Sequence, residues 1–212
     1  MKKYIIICLS LLVYGTTLQA QFSQTDMRDQ VTAGVKAGLN ISNIWDSQTQ
    51  DFEADAKAGF AGGVLIAVPI GTYLGFQPEI LLSQKGFQGS GTLLGSTYSY
   101  TRTTSYIDVP LQLQIKPSSA VTILVGPQYS YLVHQKDAFT FGSGGIVQEE
   151  AFDNEDIRKN ILGVVGGFDI NLSHFVISPR MGWDLMHNNG DGTSSTPRYK
   201  NRWVQLTLGV RI

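Results

Sequence analysis

From Val31 onward, apolar residues fall on every second position in segment after segment, and no segment sustains a period of 3.6. The clearest case is Ser105 to Lys116. Ile107, Val109, Leu111, Leu113 and Ile115 alternate there with Tyr106, Asp108, Pro110, Gln112, Gln114 and Lys116. An extended strand puts these sets on opposite faces, one wholly apolar and one polar or charged. Val31 to Ser42, Phe175 to Met186 and Val204 to Ile212 repeat the phasing, and Ala58–Val68, Tyr73–Lys85, Val121–Val133 and Ile161–Leu172 carry weaker versions. The pattern predicts eight strands.

Between these segments the connections alternate strictly in length. Pro69–Thr72, Pro117–Ala120 and Ser173–His174 are tight, whereas Trp45–Lys57, Phe87–Thr104, His134–Asn160 and His187–Asn201 are long and rich in Gly, Ser, Thr, Asn and Asp. An up-and-down antiparallel barrel with both termini on one side places every second connection on the same rim, which yields this pattern. The tight turns then face the periplasm and the long connections the exterior. Within the Phe87–Thr104 connection, the Ser, Thr and Tyr of Ser96 to Ser105 suit an extension of the fourth strand above a membrane, where it can pair with a partner.

Alternation alone does not say which face is inside. A soluble ligand-carrying barrel turns its apolar face inward, and a membrane barrel inverts this. Composition favours inversion: charged residues are only 16% and Gly numbers 23 in 212 residues, against about 25% charge in ordinary soluble chains. Inversion sends Lys36, Lys85, Lys116, Arg180 and Arg211 into the lumen with Glu79, Asp108, Asp169 and Asp184. In a narrow eight-strand lumen such charges either neutralise one another as a plug or line an ion path, and the width favours the plug. Aromatic residues near segment ends, Tyr73, Phe76, Tyr129, Tyr131, Phe175, Trp183 and Trp203, fit interfacial girdles. Against the scheme, Pro78, Pro110, Pro127 and Pro179 lie inside proposed strands and cannot donate to a ladder, so bulges or local gaps near the rims are expected.

The amino terminus bears on compartment. Met1-Lys2-Lys3, an apolar run from Tyr4 to Tyr14 and small or polar residues to Ala20 read as a signal peptide over 1–20. A short periplasmic extension over 21–30 and the barrel over 31–212 complete the expected organisation. Cys8, the single cysteine, lies within the leader, so the mature chain has no thiol chemistry or disulfide framework. The net charge of −1 gives no sign of a nucleic-acid partner.

Several strings carry a family resemblance: Gly34-Val35-Lys36-Ala37-Gly38-Leu39-Asn40 with Ser42-Asn43, Phe76-Gln77-Pro78-Glu79, Tyr106-Ile107-Asp108-Val109-Pro110-Leu111, and Gly126-Pro127-Gln128-Tyr129. Their order and spacing over nearly the whole mature chain resemble the PorT-like outer-membrane β-barrel proteins. The resemblance implies a small integral outer-membrane barrel, of which some members assist protein secretion, and it supplies no catalytic residues. The in-strand prolines fall within these strings. The closing Val210-Arg211-Ile212 departs from the aromatic carboxy terminus common among barrels.

Chemistry is sparse. His134, His174 and His187 are far apart, and no metalloprotease, nucleophile-elbow or phosphate-loop motif occurs. A lipid-modifying enzyme would need a rim histidine, His134 or His187, with Asp137, Ser143 or Asp184. Glu149-Glu150 with Asp153 to Asp156, and Asn188 to Gly192, are open either to Ca²⁺ binding or to simple external loops, the latter favoured. The expectation is an all-β, eight-stranded antiparallel transmembrane barrel: a monomer without catalytic, cofactor or metal site. Its expected partners are outer-membrane lipid and lipopolysaccharide and an envelope or secretion protein. A narrow solute channel is the alternative.

Overall fold

A computed structural model describes residues 26–45, 54–93, 96–141, 144–150, 158–188 and 199–212. The leader over 1–20, Ser143 and the acidic run at 153–156 lie outside them, as does most of the 188–192 string. The strands are β1 (Thr32–Trp45), β2 (Asp55–Pro69), β3 (Leu74–Leu93), β4 (Ser96–Ile115), β5 (Val121–Phe141), β6 (Gly144–Glu150), β7 (Asn160–Leu172), β8 (Phe175–Asp184) and β9 (Lys200–Arg211). Each of β1, β2, β3, β4, β5, β7, β8 and β9 pairs antiparallel with its neighbours, and β9 pairs with β1, so eight strands close a ring. Closure leaves no open edge around the ring, so its backbone groups bond within the sheet except at gaps beside in-strand prolines.

The faces are inverted relative to a soluble protein. Ile107, Leu111 and Leu113 are about 40% exposed (39%, 43% and 43%), whereas Lys36 and Arg180 are 4% and 3% exposed. The apolar cluster inside is small: Tyr106, Leu132 and Ile161, with Met186 against it.

β3, β4 and β5 run for 20, 20 and 21 residues, against 10 to 15 in the other ring strands. Two connections expected as long loops are therefore largely sheet. Gly86 to Leu93 pairs with Ser96 to Thr103, and Gln135 to Phe141 turns back on β6. Ser and Thr alternating with Tyr in Ser96 to Thr101, and Phe139, Thr140 and Phe141 in the outer part of β5, carry enough strand propensity to continue the ladder beyond the ring. The tight connections follow expectation. At Ser173–His174, Ser173 has φ 57°, the positive φ of the first central residue in a type II′ hairpin turn.

The prolines interrupt pairing without displacing it. The β3–β4 register is the same on both sides of the gap between Pro78 and Leu81, opposite Pro110. The same holds for β4–β5 between Pro110 and Leu113, and for β7–β8 opposite Pro179. A missing N–H donor thus costs a local gap and no bulge. True register shifts lie elsewhere, between Ala56 and Ala61 and at Ser105/Tyr106 opposite Leu132 to His134.

Candidate functional site: the charged lumen and its outer mouth

All nine charges assigned to the lumen are buried. The strands bring them into layers. In the lower layer Lys36 of β1 meets Glu79 of β3 at 2.5 Å, and Arg180 of β8 meets Asp169 of β7 at 2.6 Å with Glu79 at 3.9 Å. Arg211 of β9 also bonds Asp169, which accepts a further hydrogen bond from Ser178 Oγ at 2.7 Å. Amides fill the gaps: Gln114 donates to Gln77 at 2.6 Å, Gln77 to Glu79 at 2.7 Å, and Arg180 to Gln112 at 3.1 Å. One carboxylate between two guanidinium groups satisfies the geometry a buried ion pair needs.

The middle layer centres on Lys85, whose Nζ lies 3.2 Å from Asp108 and 3.3 Å from Ser130 Oγ. The same ammonium sits 4.8 Å above the Tyr106 ring and 5.5 Å from the Trp203 ring. Trp203 is thus a correction to the expected girdle. It is 4% exposed and points inward, as its parity opposite the outward Val204 and Leu206 requires. Its ring fills the space beside Gly182, where a Cβ would stand 2.2 Å from Trp203 Cζ2. Tyr73, Phe76, Tyr129, Tyr131, Phe175 and Trp183 face outward. Asp184 accepts from Asn201 Nδ2 at 2.7 Å.

At the inner mouth, residues 26–31 fold across the opening. Lys116 Nζ donates to the Arg28 carbonyl at 2.5 Å, and the Arg28 guanidinium lies 5.7 Å from the Tyr73 ring centre. A cavity of about 30 Å³ remains there between Arg28, Lys116, Thr122, Asn171 and Arg211, room for a water or two.

The outer mouth holds a pair that sequence reasoning did not assemble. Arg102 of β4 donates from Nε and a terminal nitrogen to Asp137 of β5, at 2.9 and 2.6 Å. Phe87 packs edge-on against Tyr199 with centroids 5.2 Å apart, and Tyr100 lies 5.9 Å from Phe87. Burial pushes the Tyr100 phenol well above its ordinary range, against the pull of Arg102. Extending the even-numbered phase of Ser105–Lys116 backward would have put Arg102 inward. Asp137 was not accessible that way, because the bulge at Leu132 to His134 reverses the phase of β5 and re-aims its outer half.

Of the groups a rim enzyme would use, both carboxylates have other partners and Ser143 lies outside the described residues. Asp137 is engaged by Arg102 and Asp184 by Asn201. Among the described residues no group of His, Cys, Asp and Glu is arranged to hold a metal.

The outer membrane protein β-barrel domain family matches residues 19–188. No curated protein matches by sequence. Among solved structures, the attachment invasion locus protein Ail of Yersinia pestis is 12% identical, with 85% of this chain and 98% of that one covered and a TM-score of 0.43. Neisserial surface protein A is 12% identical over 86% and 96%, at 0.39. OprG of Pseudomonas aeruginosa is 12% identical over 85% and 95%, at 0.39.

Proposed function

The chain belongs to the outer membrane protein β-barrel domain family, and from that premise we propose that it is a non-enzymatic, non-conducting barrel that docks a protein of the envelope or of a secretion apparatus. The observation that carries this reading is the division of the molecule into a cylinder whose centre holds buried ion pairs and a projecting sheet. Within the ring, ion pairs and amides occupy the centre from Lys116 to Arg102. Moving any one charge aside would strand its partner in a low dielectric, which opposes an open water path.

Beyond the ring, β3, β4 and β5 continue outward and β6 ends the strand order, paired among the described residues with β5 alone. Backbone groups along such an edge can accept an incoming strand. One face of this sheet carries Tyr98, stacked on Phe139 at 6.3 Å, and Tyr100. The other carries Thr97, Ser99 and Thr101. The PorT-like resemblance supports a secretion component as the occupant. Removal of residues 1–20 on export belongs to the same reading.

Photo-crosslinkers at Thr97, Ser99 and Thr140 in intact cells are expected to capture one discrete protein, and crosslinkers at the lipid-facing Leu206 and Leu208 are not. Equal capture from both sets, or none from the sheet, would count against docking. The narrow-channel alternative predicts unitary currents in planar bilayers. The rim-enzyme alternative predicts that His134→Ala with His187→Ala abolishes a lipid acylation.

A further inference from the structure

We propose that the inner mouth of the barrel holds a small inorganic anion, chloride in size and charge, in the cavity beneath residues 26–31, with Lys116, Arg211 and Arg28 as its cations. The described side chains that line this cavity include those three cations and no carboxylate. The buried layer above it is itself unbalanced. Lys36, Lys116, Arg180 and Arg211 stand there against Glu79 and Asp169, four positive charges against two negative. Both carboxylates are already taken up by Lys36, Arg180 and Arg211. Excess negative charge lies instead in the middle layer, where Lys85 faces Asp108 and Asp184.

The donors at the cavity are held in place and not all used. Arg211 is 7% exposed, and its Nε–H is buried without an acceptor among the described residues. Its terminal nitrogens bond Asn171, Gln77 and Asp169, which fixes the guanidinium plane. Lys116 Nζ gives one proton to the Arg28 carbonyl and has two more to donate. Thr122 Oγ accepts from Asn171 at 3.2 Å, so its own hydroxyl proton is available to the cavity. Asp26 and Asp29 act on Lys116 from the segment above. Both are exposed to water, and Asp26 is bonded to Arg28.

Size and charge together select the occupant. About 30 Å³ admits one or two particles the size of water, so a halide fits and a phosphate ester or a lipid headgroup does not. Water alone would satisfy the Arg211 N–H but leave the surplus positive charge in a low dielectric, which is costly. A halide accepts from several donors at once and carries the opposite sign. Bound there, it joins Arg28 to Lys116 and Arg211 and so seats residues 26–31 across the mouth.

The test uses folded protein purified in an uncharged detergent and heated at one ionic strength, with sodium chloride replaced stepwise by sodium gluconate, whose anion is too large for the cavity. The midpoint for loss of heat-shifted migration is expected to rise with chloride, and bromide to substitute for it. Lys116→Gln is expected to weaken the apparent chloride affinity roughly tenfold, and Arg28→Gln, outside the ring and so no threat to its folding, roughly threefold. Lys57→Gln, the same change of charge at the outer rim, is expected to leave it as it was. Equal wild-type midpoints in chloride and gluconate, a measurement that needs no variant, overturn the proposal. So does a wild-type chloride response in whichever of Lys116→Gln and Arg28→Gln fold, because the salt then acts on the surface as a whole. A rise that is larger in sulfate than in chloride, and that Arg28→Gln reduces, overturns it in favour of a larger oxyanion.

Discussion

Asp169 carries more of the lumen than any other residue, since Arg180, Arg211 and Ser178 all bond its two oxygens. Asp169→Asn keeps the shape and removes the charge, leaving two guanidinium groups to share neutral acceptors. The expected loss is about 3–5 kcal/mol, measured as a lower urea midpoint for unfolding from vesicles. Gly182 is constrained by packing. Any Cβ there meets the Trp203 ring, so Gly182→Ala should cost about 1–3 kcal/mol, and less when Trp203 is also shortened to Leu. Gly86 is constrained by conformation. Its φ of 144° lies in a region other residues avoid, and its N–H donates to Ser42 Oγ at 2.8 Å. At Tyr100 burial favours the neutral phenol, so its folded-state pKa is raised. That contribution is complete below the ordinary tyrosine pKa of about 10 and is lost as pH rises through the folded value. Tyr100→Phe should flatten the alkaline arm of the stability profile, with phenolate absorbance near neutral unchanged.

At the scale of elements, turn chemistry and phase decide most outcomes. The Ser173–His174 turn asks for positive φ at a serine. Glycine there removes the Cβ strain, so Ser173→Gly should raise stability by a few tenths to about 1 kcal/mol in the same urea assay. The bulge in β5 turns Asp137 towards Arg102, joining the projecting sheet to the barrel wall. Removing one partner of this largely buried pair should cost about 2 kcal/mol. A double-mutant cycle with Arg102→Ala and Asp137→Ala should show coupling, and the looser sheet should be cut sooner by protease in Asp137→Ala. In sequence, β4 could be extended outward by its own alternation, and Ser96 to Ser105 was legible as such. The length of β5 and the existence of β6 were not, because glycines and acids around 142–156 resemble a loop and the phase change hides the continuity.

For the whole molecule, closure of eight strands fixes a narrow lumen occupied by buried Lys, Arg, Gln, Asp and Glu side chains, which the proposed reading takes as a plug. Folded wild-type protein should therefore pass no unitary current in planar bilayers. Asp169→Asn should stay silent too, since Gln77, Gln112 and Gln114 still fill the lower lumen.

The eight strands of the ring, the identity of the two faces' residues and the tight-turn rim were determined by the sequence alone, because a period of two is a local property and every residue carries it. The family strings added the kind of membrane. Which charges meet was decided only by the tertiary structure. Lys36 and Glu79 are 43 positions apart, and Asp169 and Arg211 are 42 apart, so their distance depends on strand order, tilt and stagger around a closed ring. The inward turn of Trp203 was readable from parity, whereas its place over Gly182 and beside Lys85 required the ring to close. Local alternation encodes in or out, and only closure encodes with whom.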